Sequence, residues 1–525
     1  MGIRGQVNVP VELSFAGQSE DVEVDVIFAD DNGAEWRVPA FWAGGVDYRV
    51  RFAAPHSGRY TYRTSDDQSG EFEVAPYDGQ NDLYRHGRLR VAPNHRTLEH
   101  ADGTSFFWLG DTWWMGLTKR LDWPKGFEML TADRVAKGFN LVQIVAGPLP
   151  NFQVETESWH PFQANEGGWS WEQDWARINP AFYDFADRRI AYLVENGLVP
   201  CIVGMWALYT EVMGVERAKK HWRNLVARYG AYPVVWCIAG EVKLPAYSQL
   251  GVEGALAKAA VFQTEVWTNV GRYLRSIDPY HNPITAHPWE IEGARIALGD
   301  NGILDIDMLQ TGHGGHSVLK RSVEAVNAVN AKEPRMPVIN GEPAYEGIMG
   351  TAWQEQQRFL FWTSVLSGSA GHTYGAQGIW QMSTREEPYS QDWGEGFWQE
   401  AMNYLGSHQV GLGKRFLEQY SWWLFEPRQE PQVEKLGRIS SFAAGIPGTV
   451  WMFYLVGNWA DGILAGVRGI SIQLEDEASY RAFFFNPRSG EEIEAGSAEG
   501  LWPIPSKPTM EDWVLVLENR KAVAE

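Results

Sequence analysis

The sequence predicts an α/β protein built on a (β/α)8 TIM barrel, flanked by N-terminal and C-terminal β-sandwich domains. Three observations lead there. The middle of the chain alternates short apolar runs with helical segments, the signature of βα units around a mainly parallel sheet. About eight such runs occur, the number that closes a barrel. Both ends instead show period-two alternation punctuated by Gly, Asn and Asp, the pattern of antiparallel strands and their turns. A chain of 525 residues has room for all three parts, and the pattern divides it into residues 1–78, 79–408 and 409–525.

Taken in order, the N-terminal part alternates at VEVDVIF from Val22, turns at DDNG, alternates again at VDYRVRF, turns at PHSG and continues through RYTYRT to EFEV. This reads as a small antiparallel sandwich, and PYDGQND then reads as a linker. The barrel strands are FFWLGD (106–111), NLVQIVA (140–146), LVPCIVG (198–204), VVWCIAG (234–240), PITAH (283–287), IDMLQ (306–310), PVING (337–341) and SAGHTYG (369–375). Helices are expected over 181–195, 215–229, 257–277, 318–331 and 353–366, where apolar residues recur at three-to-four spacing. From about Leu412 short strands return, among them RISSFAA, TVWMFYLV, ISIQL, YRAFFFNPRSGE and DWVLVLE. A doubly wound open sheet is the alternative fold, weakened because no GxGxxG or P-loop pattern follows any strand.

Composition narrows the function. Lys+Arg 45 against Asp+Glu 66 leave a net charge of −21, which repels polyanions and argues against nucleic acid or an anionic membrane surface. No apolar stretch reaches the length of a membrane span. The 26 tryptophans suit a sugar ligand, whose C–H faces stack on indole, although core packing accounts for many of them. Cys201 and Cys237 are too few for a disulfide framework and sit in apolar runs. The N-terminus lacks a secretory h-region, so cytoplasmic location is the expectation. A homo-oligomer is compatible with the sequence, and no cofactor is called for.

In a barrel of this kind the active site forms at the C-terminal ends of the strands. Those ends carry Asp111 and Trp113, Gln143, Trp206, Glu241, His287, Gln310 with His313, Glu342 with Tyr345 and Glu346, and His372 with Tyr374 and Trp380. Carboxylates, amides, imidazoles and aromatics gathered at one end make a lining for a polyhydroxylated ligand. Glu241 in WCIAGEVKLP and Glu342 in PVINGEPAYEG each follow an apolar strand and a glycine. Cleaving an acetal needs one protonated acid at the leaving oxygen and one carboxylate at the anomeric carbon, and such a pair could supply both. The other residues are expected to orient substrate hydroxyls or the two carboxylates.

WLGDTWW, ADRVAKGFNLVQ and GEPAYEG resemble the apiosidase-like group of glycoside hydrolases, barrel glycosidases that use carboxylates on strands four and seven. The likeness spans nearly the whole chain, since that group carries an N-terminal β-domain and a collagen-binding-like C-terminal domain. It implies Glu342 as nucleophile and Glu241 as acid/base. One departure is visible: the group has Asp after a Gly pair on strand four, whereas this chain reads Ala239-Gly240-Glu241. The longer acid argues against assuming apiose as the sugar.

The expected function is therefore a retaining, exo-type glycoside hydrolase acting on a small glycoside or oligosaccharide, with the carboxyl groups about 5–5.5 Å apart. The tryptophans around the strand ends and the loop over residues 147–178 suggest a pocket closed at one end. A transglycosidase shares the chemistry up to the covalent intermediate, and a non-catalytic carbohydrate-binding protein would have no need of the carboxylate pair. His313 and His316 in TGHGGHS invite a metal reading, but the first strand lacks the paired histidines of barrel metallohydrolases, so no metal is assigned. No GxSxG elbow supports an esterase.

Overall fold

The computed structural model describes residues 4–519 apart from 18–20, 66–67, 150–162, 290, 292, 390–392, 429–441, 458, 460–470 and 477. The N-terminal domain stacks a five-stranded sheet on a three-stranded one made of Val11–Ala16, Phe41–Gly44 and Asp47–Phe52. Its core joins the inward residues of both sheets, as where Phe28 stacks on Phe52 with ring centroids 4.2 Å apart. The sheet is not wholly antiparallel, because Arg4–Gln6 pairs parallel with Ser69–Ala75.

The eight barrel strands form where the apolar runs lie. Strand one is Trp108–Trp113, strand two Leu141–Val145, strand three Val199–Val203 and strand four Val235–Cys237. Strand five is Ile284–Thr285, strand six Asp307–Gln310, strand seven Val338–Glu342 and strand eight Gly371–Tyr374. Strands eight, one, two, three, four and five pair in parallel in that order, and six pairs parallel with seven. Hydrogen bonds from Ile306 N to Ile284 O (3.2 Å) and from Ala370 N to Val338 O (3.0 Å) join the two groups and close the ring. The Val- and Ile-rich runs suit strands covered on both faces.

The expected helices appear at Pro180–Glu195, Val215–Tyr229, Ala255–Ile277, Leu319–Asn330 and Gln354–Leu366. Two further long helices are Lys125–Ala136, which lacks a clean apolar stripe, and Leu405–Leu417. The first buries Thr131 and Arg134, and the second buries Ser407, Gln409 and Lys414 among small glycines. The expected domain limit at 408/409 falls inside Leu405–Leu417.

The C-terminal part is a six-stranded antiparallel sheet with a two-stranded ribbon, Ser471–Gln473 and Leu501–Pro503. Strict alternation serves two cores. Met452 and Tyr454 face the barrel helices, with Trp362 lying parallel to Tyr454, while Trp451, Phe453 and Leu455 face the ribbon's side. One face of this sheet is thus barrel core. Buried ion pairs lock both flanks: Arg51 reaches Asp187 (2.6 Å), and Arg358 grips Asp512 through two bonds of 2.7 Å. Among the described residues no helix is long and apolar enough to cross a membrane.

Candidate active site

Glu342 is the last residue of strand seven. Strand six pairs with it out of step: Leu309 lies beside Asn340 but Gln310 beside Glu342, so Gly341 is the extra residue. That bulge brings the Gln310 and Glu342 side chains to one level. A Cβ on Gly341 would lie 2.5 Å from Met308 Sδ, so any larger residue there would have to displace the buried Met308 side chain. On strand four the pairing runs on to Gly240, whose N–H donates to Met205 O (2.9 Å). A Cβ on Gly240 would meet the Trp206 ring at 2.4 Å, so glycine lets the indole lie against the backbone. The chain then turns sharply at Glu241, a non-glycine residue at φ +49, the kind of stored strain that collects at functional sites.

The two carboxylates face each other across one amide. Gln310 Nε2 donates to Glu342 Oε1 (3.0 Å) and reaches Glu241 Oε1 (3.4 Å). Their surroundings are opposite in kind. A carboxylate can only accept, so His313 Nε2 carries the proton it shares with Glu342 Oε1 (3.0 Å). His287 Nε2 stands 3.1 Å from Glu342 Oε2, out of line for a good hydrogen bond, and neither of its ring nitrogens has another partner. Glu241 Oε2 accepts from Trp206 Nε1 (2.9 Å) and from the Tyr247 hydroxyl. Burial and the charge of Glu342 raise the Glu241 carboxyl above its ordinary value, against the pull of Tyr247 and Trp206. Burial also works against ionising Glu342, but His287 and His313 outweigh it and hold that group below the usual carboxylate range. The two surroundings therefore push the carboxyls apart, Glu241 toward the protonated acid and Glu342 toward the carboxylate.

Residues 92–424 match the family model of the apiosidase-like catalytic domain. The chain belongs to the apiosidase-like family. Residues 8–67 match a domain of unknown function, DUF5060. No curated protein is significantly similar in sequence. Among solved structures, a glycoside hydrolase 22% identical superposes with a TM-score of 0.68, covering 83% of this chain and 98% of its own. A family 5 glycoside hydrolase from Bacteroides vulgatus ATCC 8482 is 23% identical with the same TM-score, covering 83% of this chain and 94% of its own. A second Bacteroides vulgatus structure, 16% identical with a TM-score of 0.72, covers 98% of this chain and 100% of its own, so the fold is shared end to end. As a member of the apiosidase-like family, the protein is a glycoside hydrolase.

In this apiosidase-like barrel the carboxylates lie on a cavity of about 360 Å³, near the small end of ligand pockets. Among the described residues, five indoles line it: Trp114, Trp206, Trp289, Trp380 and Trp393. Gln310, His313 and Tyr345 complete the predicted residues that line it, and Tyr345 Oη accepts from Trp114 Nε1 (3.1 Å). Tyr247, Leu250, Trp289 and Trp393 are additions from loops and turns, and Arg321 is one from the first turn of helix Leu319–Asn330. His316, the partner of His313 in the metal reading, points elsewhere and stacks on Trp459 with centroids 5.3 Å apart. Among the described residues no group of three or more His, Cys, Asp or Glu converges as a metal would need.

The expectation that every strand-end residue lines the pocket needs correcting. Asp111 and Trp113 face outward, because alternate residues of a strand point to opposite sides. Asp111 is fully buried against Arg134 Nε (2.6 Å) and accepts from Trp113 Nε1 (2.7 Å), while Thr112 and Trp114 take the inner face. His372 and Tyr374 face outward from strand eight for the same reason: His372 packs on Phe361, and Tyr374 donates to Glu346 Oε2 (2.6 Å). Glu346 also accepts from Gly406 N (3.0 Å), and burial raises its carboxyl to about 7. Gln143 lies under the site, donating to Gly341 O (2.8 Å). His287 orients a carboxylate from below and is not part of the pocket wall. The loop over residues 147–178 lies partly outside the described residues.

Proposed function

We propose that this glycoside hydrolase works with retention of configuration, with Glu342 as nucleophile and Glu241 as acid/base. The observation that carries the reading is the single Gln310 amide nitrogen in reach of both carboxylates. Glu241 Oε1 and Glu342 Oε1 can be no further apart than those two contacts laid end to end. That upper limit sits at the lower edge of the about 6.5–9.5 Å that inverting enzymes keep for a water, so the pair is close, and the configuration of the first product decides between the two mechanisms.

The protonation states support the same assignment. Anionic Glu342 attacks the anomeric carbon while Glu241 passes its proton to the leaving oxygen. Once the ester forms, the Glu342 charge that held the Glu241 proton is gone. Glu241, left as a carboxylate when its proton departed with the aglycone, is no longer disfavoured by that charge and takes a proton from the incoming water, whose oxygen bonds to the anomeric carbon as the ester to Glu342 breaks. A small, indole-walled cavity supports an exo-type action on a terminal sugar or short glycosyl unit.

The test uses the full chain and a panel of aryl glycosides that includes furanosides. Glu342→Ala should abolish turnover. Glu241→Ala should spare the first step for good leaving groups and slow the second by about 10²–10⁴-fold, with azide restoring rate as a glycosyl azide of retained configuration. Near-normal activity in both variants would remove the assignment, and a first product of inverted configuration would exclude retention. Product sizes over time from a long substrate address the exo reading, which mid-sized early fragments would overturn.

A further inference from the structure

Glu241 is gripped by a residue that is not on any strand. Strand four ends, the chain bends through Glu241 (φ +49) and Lys243 (φ +80), and a short turn at Tyr247–Gln249 brings the Tyr247 ring back over the carboxyl it has just left. Gln263 on helix Ala255–Ile277, fully buried, clamps this return. Its Oε1 accepts from Lys243 N (2.7 Å) and its Nε2 donates to Leu244 O (2.6 Å). The Tyr247 hydroxyl then donates to Glu241 Oε2, the same oxygen that Trp206 Nε1 reaches, and Trp206 also donates to the Tyr247 oxygen (3.1 Å). Two donors on one oxygen leave the other for the proton. Glu241 Oε1 is the oxygen nearer Gln310 and Glu342, where a sugar would lie.

We propose that Tyr247 is a positioning residue which, with Trp206, keeps the Glu241 proton on Oε1, aims it at the glycosidic oxygen, and stabilises the Glu241 carboxylate needed in the second step. The proposal rests on the acid/base role given to Glu241 above. Among the described residues, Glu342 from strand seven and His287 just beyond strand five are the charged or titratable groups facing Glu241 from other elements, and neither changes when Tyr247 is altered.

Tyr247→Phe keeps the ring and removes only the donor. Loss of that donor weakens the ionised form, so the Glu241 proton comes off at higher pH. Activity that depends on this proton is lost as pH rises, so the basic limb of kcat/KM should move up by about one pH unit. With activated aryl glycosides the second step should slow by about tenfold or more while the first is nearly kept, and azide should recover the loss. An unmoved basic limb, or an equal loss in both steps, overturns the proposal, provided the melting temperature shows the variant folded. A wild-type chain inactive on every glycoside, or a Glu241→Ala variant with normal pH behaviour, would instead sink the acid/base reading itself.

Discussion

Asp111 separates a structural role from a sugar-binding one in a single substitution. Its carboxylate and the Arg134 guanidinium are both fully buried, 2.6 Å apart, and Asp111 also accepts from Trp113 Nε1 and from Thr112 N (2.9 Å). Asp111→Ala would leave Arg134 in the barrel wall with only Asp133 (2.5 Å) and the Met402 carbonyl (3.2 Å) as polar partners, and would strip Trp113 of its acceptor. Breaking one side of such a buried pair costs about 3–5 kcal/mol. With an unfolding entropy of about 2.1 cal/mol/K per residue over a barrel of roughly 330 residues, each kcal/mol moves the melting temperature by about 1.5 °C, so a fall of about 4–7 °C is expected. Asp111→Asn, which keeps an acceptor oxygen but no charge, should fall between. The assay pairs thermal unfolding with kcat and KM measured well below both transitions. KM should stay near the wild-type value, since Asp111 does not reach the cavity. An unchanged melting temperature with a raised KM would refute this, and would return Asp111 to the substrate.

The error over Asp111 shows what a sequence of this kind conceals. Strand eight, with its His and Thr, is legible from its place in the βα alternation, whereas strands two, three and four are legible because strands covered on both faces are written as near-continuous apolar runs. The same continuity hides which face is inside, since no polar alternation marks it. The sequence therefore puts Asp111, Trp113, His372 and Tyr374 at the C-terminal ends of their strands but does not show that they face away from the cavity. Helix Lys125–Ala136 escaped for a related reason: the pair to Asp111 puts Arg134 on its buried face and breaks the apolar period. Glu241 and Glu342 were legible because a glycine and a carboxylate interrupt an apolar run at its end. Tyr247, Trp289 and Trp393 were not, because loops have no period, and Tyr247 meets Glu241 only through a turn clamped by Gln263.

Two predictions follow from groups whose charge the fold controls. His313→Ala removes a donor from Glu342, whose carboxyl should then take a proton at higher pH. Activity needs Glu342 ionised and is lost as pH falls, so the acidic limb of kcat/KM should move up by about one unit, and an unmoved limb would deny His313 that part. His372 concerns stability instead. It is fully buried on strand eight beside Phe361, neither ring nitrogen has a hydrogen-bond partner, and burial lowers its pKa to about 3. Above the ordinary value of about 6.5 the imidazole is neutral whether the chain is folded or not, and its effect on stability is constant. Below it the unfolded chain takes up a proton that the folded one refuses, at a cost of about 1.4 kcal/mol per pH unit down to about pH 3. Nothing in the fold depends on a ring nitrogen there, so His372→Phe should fold and lose only this acid sensitivity. Melting temperatures from pH 7.5 to 5 should show the variant gaining on wild type as pH falls, by about 2 kcal/mol at pH 5. Parallel curves for the two proteins would mean that His372 is solvated or paired in a way that lets it keep its proton.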